Sequence, residues 1–182
     1  GEAYLEKCNV TIVAANELVE KRAELYKALY PKSKMVCGDI TDKEVFKKVM
    51  EAAKGIGFLI ASPPCQGMSV AGKNRNQETM AADRRNYLIT YVVEAIKKLE
   101  PEYVLIENVP ALLKVKLQYL GRTYSVLDLL EHEFGRDYQI SSGVVDAADY
   151  GVPQTRLRAI IKMYPKDVEW KWPEIVGHKV TV

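Results

Sequence analysis

The sequence predicts an α/β fold built on a mostly parallel, doubly wound β-sheet. Short, continuous apolar runs alternate along the chain with segments in which apolar residues recur at helical spacing. Strands without polar alternation are typical of parallel sheets whose two faces are both covered. The 182 residues correspond to one domain, which is long enough to bury a core without disulfides or metal ions.

Strands are predicted where the apolar runs are short and rich in β-branched residues, at residues 10–15, 35–37, 57–61, 103–106, 138–145 and 158–163. Helices are predicted at 18–29, from 41 to about 53, at 88–99 and at 127–134, whereas residues 65–82 have no clean period and are expected to form a long loop. Thr41 and Glu44 have the spacing of a capping box, and Gly55 is expected to end that helix.

Composition excludes several classes of protein. No apolar run approaches the roughly 20 residues of a membrane span, and no secretory leader is visible. The net charge of +2, from 26 basic and 24 acidic side chains, neither implies nor excludes a nucleic-acid partner. Cys8, Cys37 and Cys65 lack disulfide and zinc-ligand spacing, so we expect a cytoplasmic protein without a bound metal.

The polar and reactive residues of the chain follow the predicted strands. Ligands of parallel sheets bind at the carboxyl ends of the strands, so these residues are expected to meet at one edge. They are Asn16 and Glu17, Gly38 to Ile40, Pro63 to Gln66, and Glu107 to Val109.

Cys65 is a candidate nucleophile because it follows two prolines at the end of a strand. The prolines restrict the backbone and hold the thiol on a stiff turn, and a thiolate is a strong nucleophile. The alternative is a small buried hydrophobe, which is the interpretation that we favour for Cys8 and Cys37.

Three further groups of residues suit a site, although each also has a structural explanation. Glu107 ends an apolar strand, where partial loss of hydration favours an acid role, but it could equally cap the next helix. Arg156 and Arg158 share one face of an extended segment with Gln154 and could hold an anion or a base edge, or simply face solvent. Glu17 and Asp39 suit a nucleotide-like cofactor or ordinary helix capping.

Together and in this order, these motifs resemble the cytosine-5 methyltransferases that act on DNA. The matching segments span nearly the whole chain: Asn16-Glu17, Gly38-Asp39-Ile40, Pro63-Pro64-Cys65-Gln66, Asp83-Arg84-Arg85-Asn86-Tyr87-Leu88, Glu107-Asn108-Val109 and Tyr150 to Arg158. The resemblance implies a Rossmann-like fold that uses S-adenosylmethionine, with a catalytic core at 1–164 and an extension at 165–182.

The resemblance also implies a role for each matched residue. Cys65 would add to carbon 6 of a flipped-out cytosine, Glu107 would contact ring nitrogen 3, and Arg158 and Arg156 would hold the carbonyl edge. The cofactor would contact Glu17, Asp39, Ile40, Pro64 and Leu88. The substrate would contact Gln66, Ser69, Asn108, Lys73 and Arg75, of which Lys73 and Arg75 lie in a locally basic loop suited to phosphates.

Two features of the family are missing from these residues. The glycine-rich turn after the first strand is absent, and so is the target-recognition region that follows the last matched motif. We therefore expect the 182 residues alone to bind cofactor poorly and to be inactive.

The resemblance implies double-stranded DNA as the partner and a bacterial restriction-modification system, with a cognate restriction endonuclease, as the setting. A transfer-RNA cytosine-5 methyltransferase and a non-catalytic methyltransferase-like subunit are the alternatives.

Overall fold

The structure, a computed structural model, describes residues 5–64 and 87–176. These residues fall into two compact units, Gly1–Ile56 and Gly57–Val182. Each unit combines strands with helices, which confirms the predicted α/β class.

The first unit consists of a parallel strand pair and two helices. Strand β1 (Ala14–Glu17) is followed by helix α1 (Glu20–Leu29), strand β2 (Lys34–Cys37) and helix α2 (Lys43–Ala52). The two strands pair in parallel from Ala14 opposite Lys34 to Glu17 opposite Cys37. The apolar run predicted a strand at residues 10–15, whereas β1 begins and ends later. The reason is that only Ala14–Glu17 lie opposite the four residues of β2.

The N-cap of helix α2 lies one residue after the predicted cap. The Asp42 side chain, and not that of Thr41, accepts hydrogen bonds from the backbone amides of Glu44 and Val45. Thr41 instead donates to the carboxylate of Asp39. The predicted capping box was therefore wrong, because a carboxylate one residue further along satisfies the free amides of the first turn.

The second unit is built on a mixed sheet with strand order β3-β4-β8-β7. The strands are β3 (Phe58–Ala61), β4 (Tyr103–Asn108), β7 (Tyr138–Asp146) and β8 (Leu157–Pro165). Strands β3 and β4 are parallel as predicted, whereas β8 runs antiparallel to both β4 and β7. The sequence analysis placed β7 and β8 at nearly the correct residues but did not predict their antiparallel pairing.

One face of this sheet packs on helices α3 (Leu88–Leu99) and α4 (Val126–Phe134). In β4 the fully buried Val104 and Ile106 alternate with half-buried residues, as expected when the two faces differ. The buried core contributed by the sheet and the helices includes Val93, Ile96, Leu129, Leu130, Ile161 and Met163. Helix α4 has a capping box formed by Ser125 and Asp128.

A β-hairpin that the sequence analysis did not anticipate lies between β4 and α4. Strands β5 (Lys116–Tyr119) and β6 (Arg122–Ser125) pair antiparallel around Leu120 and Gly121. Both turn residues have positive φ angles, 47° and 77°. Such turns are predicted from an Asn-Gly pair. This turn has Leu-Gly instead, and leucine rarely adopts a positive φ angle, so the sequence did not indicate a hairpin.

An ion pair links α3 to α4 beside the hairpin. The Lys97 Nζ donates to Glu133 Oε2 at 2.5 Å and to the Tyr119 hydroxyl at 3.0 Å. Burial alone would raise the pKa of Glu133, but hydrogen bonds from Lys97 and His132 hold that pKa below its ordinary value.

This ion pair predicts a pH dependence of stability. A carboxyl group whose pKa is lowered in the folded state stabilises the fold above its ordinary pKa, and this contribution is lost as the pH falls through the lowered value. We expect Glu133→Gln to lower the free energy of unfolding at pH 7 and to make no difference at strongly acidic pH. Urea denaturation across this pH range, with the exposed Glu131→Gln on the same helix as control, measures the effect. A constant difference at all pH values would contradict it.

Candidate active site

The antiparallel pairing of β4 with β8 brings Glu107 and Arg158 together. Glu107 lies opposite Ile160, and side chains that are directly opposite share one face of a sheet. Arg158 precedes Ile160 by two residues and therefore lies on the same face. The Nε atom of Arg158 donates to Oε1 of Glu107 at 2.6 Å. Two residues 51 positions apart in the sequence thus form an ion pair at the end of the sheet.

The ion pair keeps unused hydrogen-bonding capacity. Besides Glu107, the Arg158 guanidinium contacts the Leu157 carbonyl through Nη1 at 2.8 Å. Contacts within the described part of the chain therefore use two of its five N–H groups and one of the two Glu107 oxygens. The side chains of Glu107 and Arg158 are 37% and 21% exposed. A ligand at this edge of the sheet can contact the carboxyl group of Glu107 and the remaining N–H donors of Arg158 side by side.

Asn108 holds the end of β4 against the turn that follows β3. Its side chain is directed to the opposite face from Glu107 and is only 5% exposed. Its Nδ2 atom donates to the Pro63 carbonyl at 2.8 Å, and its Oδ1 atom accepts from the Val109 amide at 2.9 Å. The proline turn that precedes Cys65 in the sequence is therefore tied to the strand that carries Glu107.

Arg156 does not join Arg158. Strand β8 begins at Leu157, so Arg156 lies before the strand and its side chain is exposed. The Arg156 backbone amide donates to Asp146 Oδ1 at 2.7 Å, and its carbonyl accepts from the Ala147 amide at 3.1 Å. Among the described residues no contact joins its guanidinium to Glu107. Sequence analysis missed Asp146, whose only signal is its place at the end of an apolar strand.

The first unit places Glu17 and Asp39 at the carboxyl ends of adjacent parallel strands. Glu17 is the last residue of β1, and Asp39 follows β2 by two residues. The Gly38 amide donates to the Glu17 carbonyl at 2.9 Å, and the Asn16 side chain donates to the carbonyls of Val36 and Gly38. These bonds hold the two strand ends together, as predicted for this pair of motifs.

Gly38 is required by the sharp turn that presents Asp39. Its φ angle is +143°, and a Cβ atom there would lie 2.8 Å from Cγ2 of Val45. A side chain at this position would therefore be strained and would collide with helix α2. The turn brings Asp39 to the strand end and leaves Ile40 half-buried behind it.

The two carboxylates fit the polar groups of a nucleoside. Glu17 Oε1 accepts from the Val19 amide at 2.8 Å, and Asp39 Oδ1 accepts from the amide and hydroxyl of Thr41. Within the described part of the chain these contacts use one oxygen of each carboxylate. The second oxygen of each can accept a ribose hydroxyl or an adenine amino group.

The remaining predicted site residues are only partly described. Pro64 is exposed after β3, and Leu88 begins α3 with a half-buried side chain. Cys65, Gln66, Ser69, Lys73 and Arg75 lie outside the described residues. Their roles stay predictions.

The other cysteines differ from the sequence-based expectation. Both Cys8 and Cys37 are exposed, so their interpretation as small buried hydrophobes was wrong. Cys37 ends the short strand β2, where its Sγ atom lies 3.9 Å from the Leu18 carbonyl. Strand β2 pairs with β1 in a two-stranded sheet. A sheet of two strands covers its strand ends poorly, which leaves Cys37 exposed.

Two kinds of feature are absent from residues 5–64 and 87–176. No helix in these ranges is long and apolar enough to span a membrane. The same ranges contain no group of three or more His, Cys, Asp or Glu side chains that could hold a metal ion.

Comparison with known proteins identifies related sequences. A family model described as C-5 cytosine-specific DNA methylase matches residues 2–181. The Type II methyltransferase M1.HgaI of Avibacterium volantium is 53% identical over 175 residues, which are 95% of this chain and 49% of that protein. The Type II methyltransferase M.Bpa9945I of Bacillus paralicheniformis is 31% identical over 137 residues, 71% of this chain and 30% of that protein.

Solved structures show the same fold. A putative DNA modification methyltransferase encoded within an E. coli prophage superposes with a TM-score of 0.66 at 25% identity, covering 92% of this chain and 45% of that one. A Spodoptera frugiperda DNMT2 mutant has a TM-score of 0.62 at 20% identity over 98% of this chain and 50% of its own. The predicted Rossmann-like methyltransferase fold is therefore confirmed, and the matched residues span 30% to 50% of the length of these relatives.

The buried amide of Asn108 predicts a large effect for a small substitution. In Asn108→Asp, an oxygen would face the Pro63 carbonyl where an N–H now donates, so we expect the free energy of unfolding to fall by about 2 kcal/mol. Urea denaturation followed by circular dichroism measures this change. Gln139→Glu serves as control, because it makes the same change from amide to carboxylate at an exposed position of β7. We expect it to change stability little. Equal effects of the two substitutions would contradict the assignment.

Proposed function

Because the chain belongs to the C-5 cytosine-specific DNA methylase family, we propose that the complete protein transfers a methyl group from S-adenosylmethionine to carbon 5 of cytosine in double-stranded DNA. The related Type II methyltransferases support a place in a bacterial restriction-modification system, with a cognate endonuclease as partner. The chain covers 49% of its relative from Avibacterium volantium, so substrate and activity are proposed for the complete protein.

The ion pair of Glu107 and Arg158 is the observation that carries this proposal. The edge of cytosine presents a carbonyl oxygen, ring nitrogen 3 and an amino group in a row. The unused Glu107 oxygen can accept from the amino group or, when protonated, donate to nitrogen 3, and the unused N–H groups of Arg158 can donate to the carbonyl. The 2.6 Å contact between the two side chains fixes their spacing before a base arrives.

The covalent step is assigned to Cys65. Its thiolate adds to carbon 6 of the ring, which makes carbon 5 nucleophilic while Glu107 and Arg158 stabilise the electron density that moves toward nitrogen 3 and the carbonyl. Carbon 5 would then take the methyl group as its bond to sulfur breaks, with S-adenosylhomocysteine as the leaving group. Loss of the carbon 5 proton to a base and departure of the Cys65 thiolate restore the ring and release 5-methylcytosine.

S-adenosylmethionine, when bound, supplies an electrophilic methyl group on a sulfonium centre. We assign Glu17 and Asp39 to its ribose and adenine, since each carboxylate keeps an oxygen for a hydroxyl or amino group. The family resemblance assigns Ile40, Pro64 and Leu88 to apolar contacts with the cofactor. Asn108 positions the proline turn for Cys65 through its bond to Pro63.

The target carbon is stacked inside a duplex, so the cytosine has to leave the helix before it can react. Unstacking costs a few kcal/mol, which contacts to the extruded base and to phosphates have to offset. We assign Gln66, Ser69, Lys73 and Arg75 to these contacts, and Arg156 to the substrate side of the site. Arg156 suits a phosphate as well as a base, because its side chain is exposed before β8.

Methyl transfer by the complete protein tests the proposed substrate. We expect tritium from labelled S-adenosylmethionine to enter duplex DNA and not transfer RNA. Glu107→Gln should lower kcat by roughly 10²–10⁴-fold, because the amide can neither donate a carboxylic proton nor hold the Arg158 charge. The control is Glu102→Gln, which changes an exposed residue directly before β4 and should leave the activity unchanged. Label in transfer RNA alone would overturn the choice of substrate.

A trapping experiment tests the nucleophile separately. Duplex DNA containing 5-fluorocytosine cannot lose a proton from carbon 5, so the enzyme should remain covalently attached after methyl transfer. We expect a stable adduct in denaturing electrophoresis that is lost in Cys65→Ser and kept in Cys37→Ser. An adduct that survives Cys65→Ser would show that another residue is the nucleophile.

A further inference from the structure

A second charged side chain lies on the same sheet face as Arg158. Residues two apart on a strand share a face, so Arg158, Ile160, Lys162 and Tyr164 form one row along β8. Lys162 is only 3% exposed, in an otherwise apolar run of the sequence. Burial of a cation is costly, and this lysine plays no part in the proposed chemistry.

Aromatic rings and one carbonyl surround the Lys162 ammonium group. Its Nζ atom donates to the Trp170 carbonyl at 2.5 Å and lies 4.2 Å from the Trp172 ring centroid. The rings of Trp170 and Tyr164 lie at 5.3 and 5.9 Å. Within the part of the chain that the structure describes, no carboxylate pairs with Lys162, and burial lowers the pKa of this lysine. Its partners therefore belong mainly to the segment that follows β8.

That segment, residues 166–176, crosses back over the sheet, and we name it the strap. The Trp170 ring packs edge-on against Phe58, Tyr103 and Tyr164 at 5.8–6.0 Å. Trp172 lies over Gly143 of β7, where a Cβ atom would approach the indole to 3.2 Å. Gly143 therefore leaves the space into which Trp172 fits.

The strap ends at the edge of the sheet that carries the ion pair. The Val176 amide donates to the Asp149 carbonyl at 2.8 Å. Asp149 belongs to the short helix Ala147–Tyr150, which lies between the end of β7 and the start of β8. The strap thus leaves β8 at its far end, passes Lys162 and returns to the edge where Glu107 and Arg158 meet.

We propose that Lys162 is a positioning residue that fixes the strap in one register across the sheet, so that Val176 stays bonded to the short helix between β7 and β8. An apolar side chain could fill the same space but could not bond to the Trp170 carbonyl, so the strap could slide along the apolar face. The consequence for substrate binding rests on the proposed function, because the residues that follow the strap would then enter the duplex-binding part of the protein.

Hydrogen exchange of the complete protein tests the register directly. Lys162→Met keeps the length and apolar stem of the side chain but removes the donor and the charge. We expect the amides of residues 166–176 to exchange about tenfold faster or more in this variant, while the melting temperature stays the same or rises. The control is Lys171→Met, which alters an exposed lysine of the strap. Unchanged exchange in the strap of Lys162→Met would overturn the proposal, whatever the activity of the protein.

Steady-state kinetics test the consequence. In Lys162→Met we expect KM for the target duplex to rise about tenfold, with kcat and the KM for S-adenosylmethionine within about twofold of wild type. Lys162→Arg, which keeps a charged donor, should restore part of the duplex affinity. A fall in kcat with an unchanged KM for duplex would overturn the positioning role. Failure of the wild-type protein to methylate DNA would instead reject the proposed function, and hydrogen exchange would still decide the role of Lys162.

Discussion

The antiparallel pairing of β8 with β4 is the constraint on which the second unit depends. Ile161 and Met163 are fully buried against the helices, and they fix which face of β8 is directed inward. Arg158 and Lys162 must then lie on the other face, where Arg158 meets Glu107 of β4. A slip of one residue would direct both charges into the helix-covered core and remove two large apolar side chains from it. The packing energy of the core therefore also specifies the geometry of the ion pair.

The fold was predictable where local pattern and tertiary environment agree. The apolar runs of β3, β4, β7 and β8 pair in one sheet, and the strong stripe of α3 packs on it as its periodicity indicates. The direction of β8 was not predictable, because parallel and antiparallel strands of a buried sheet have similar composition. The hairpin around Leu120 was missed because its turn uses a leucine at a positive φ angle, against the usual preference.

The candidate site shows the same division. Placement at strand ends, together with the family motifs, was sufficient to single out Glu107, Arg158, Glu17 and Asp39, whose positions the structure describes. Arg156 was grouped with Arg158 because alternation assumes a strand through both, whereas β8 begins between them. Lys162 has no short-range signal except its charge within an apolar run, since its partners Trp170 and Trp172 become neighbours only when the chain turns back after β8.

The strap also has a consequence for how relatives of this chain can diverge. Phe58, Tyr103, Gly143, Asp149 and Lys162, which hold it, all belong to the unit that forms the ion pair. Contacts among the described residues are thus sufficient to hold the strap against the sheet as far as Val176. A change in the length or composition of the polypeptide beyond Val176 would therefore leave the contact between Glu107 and Arg158 in place.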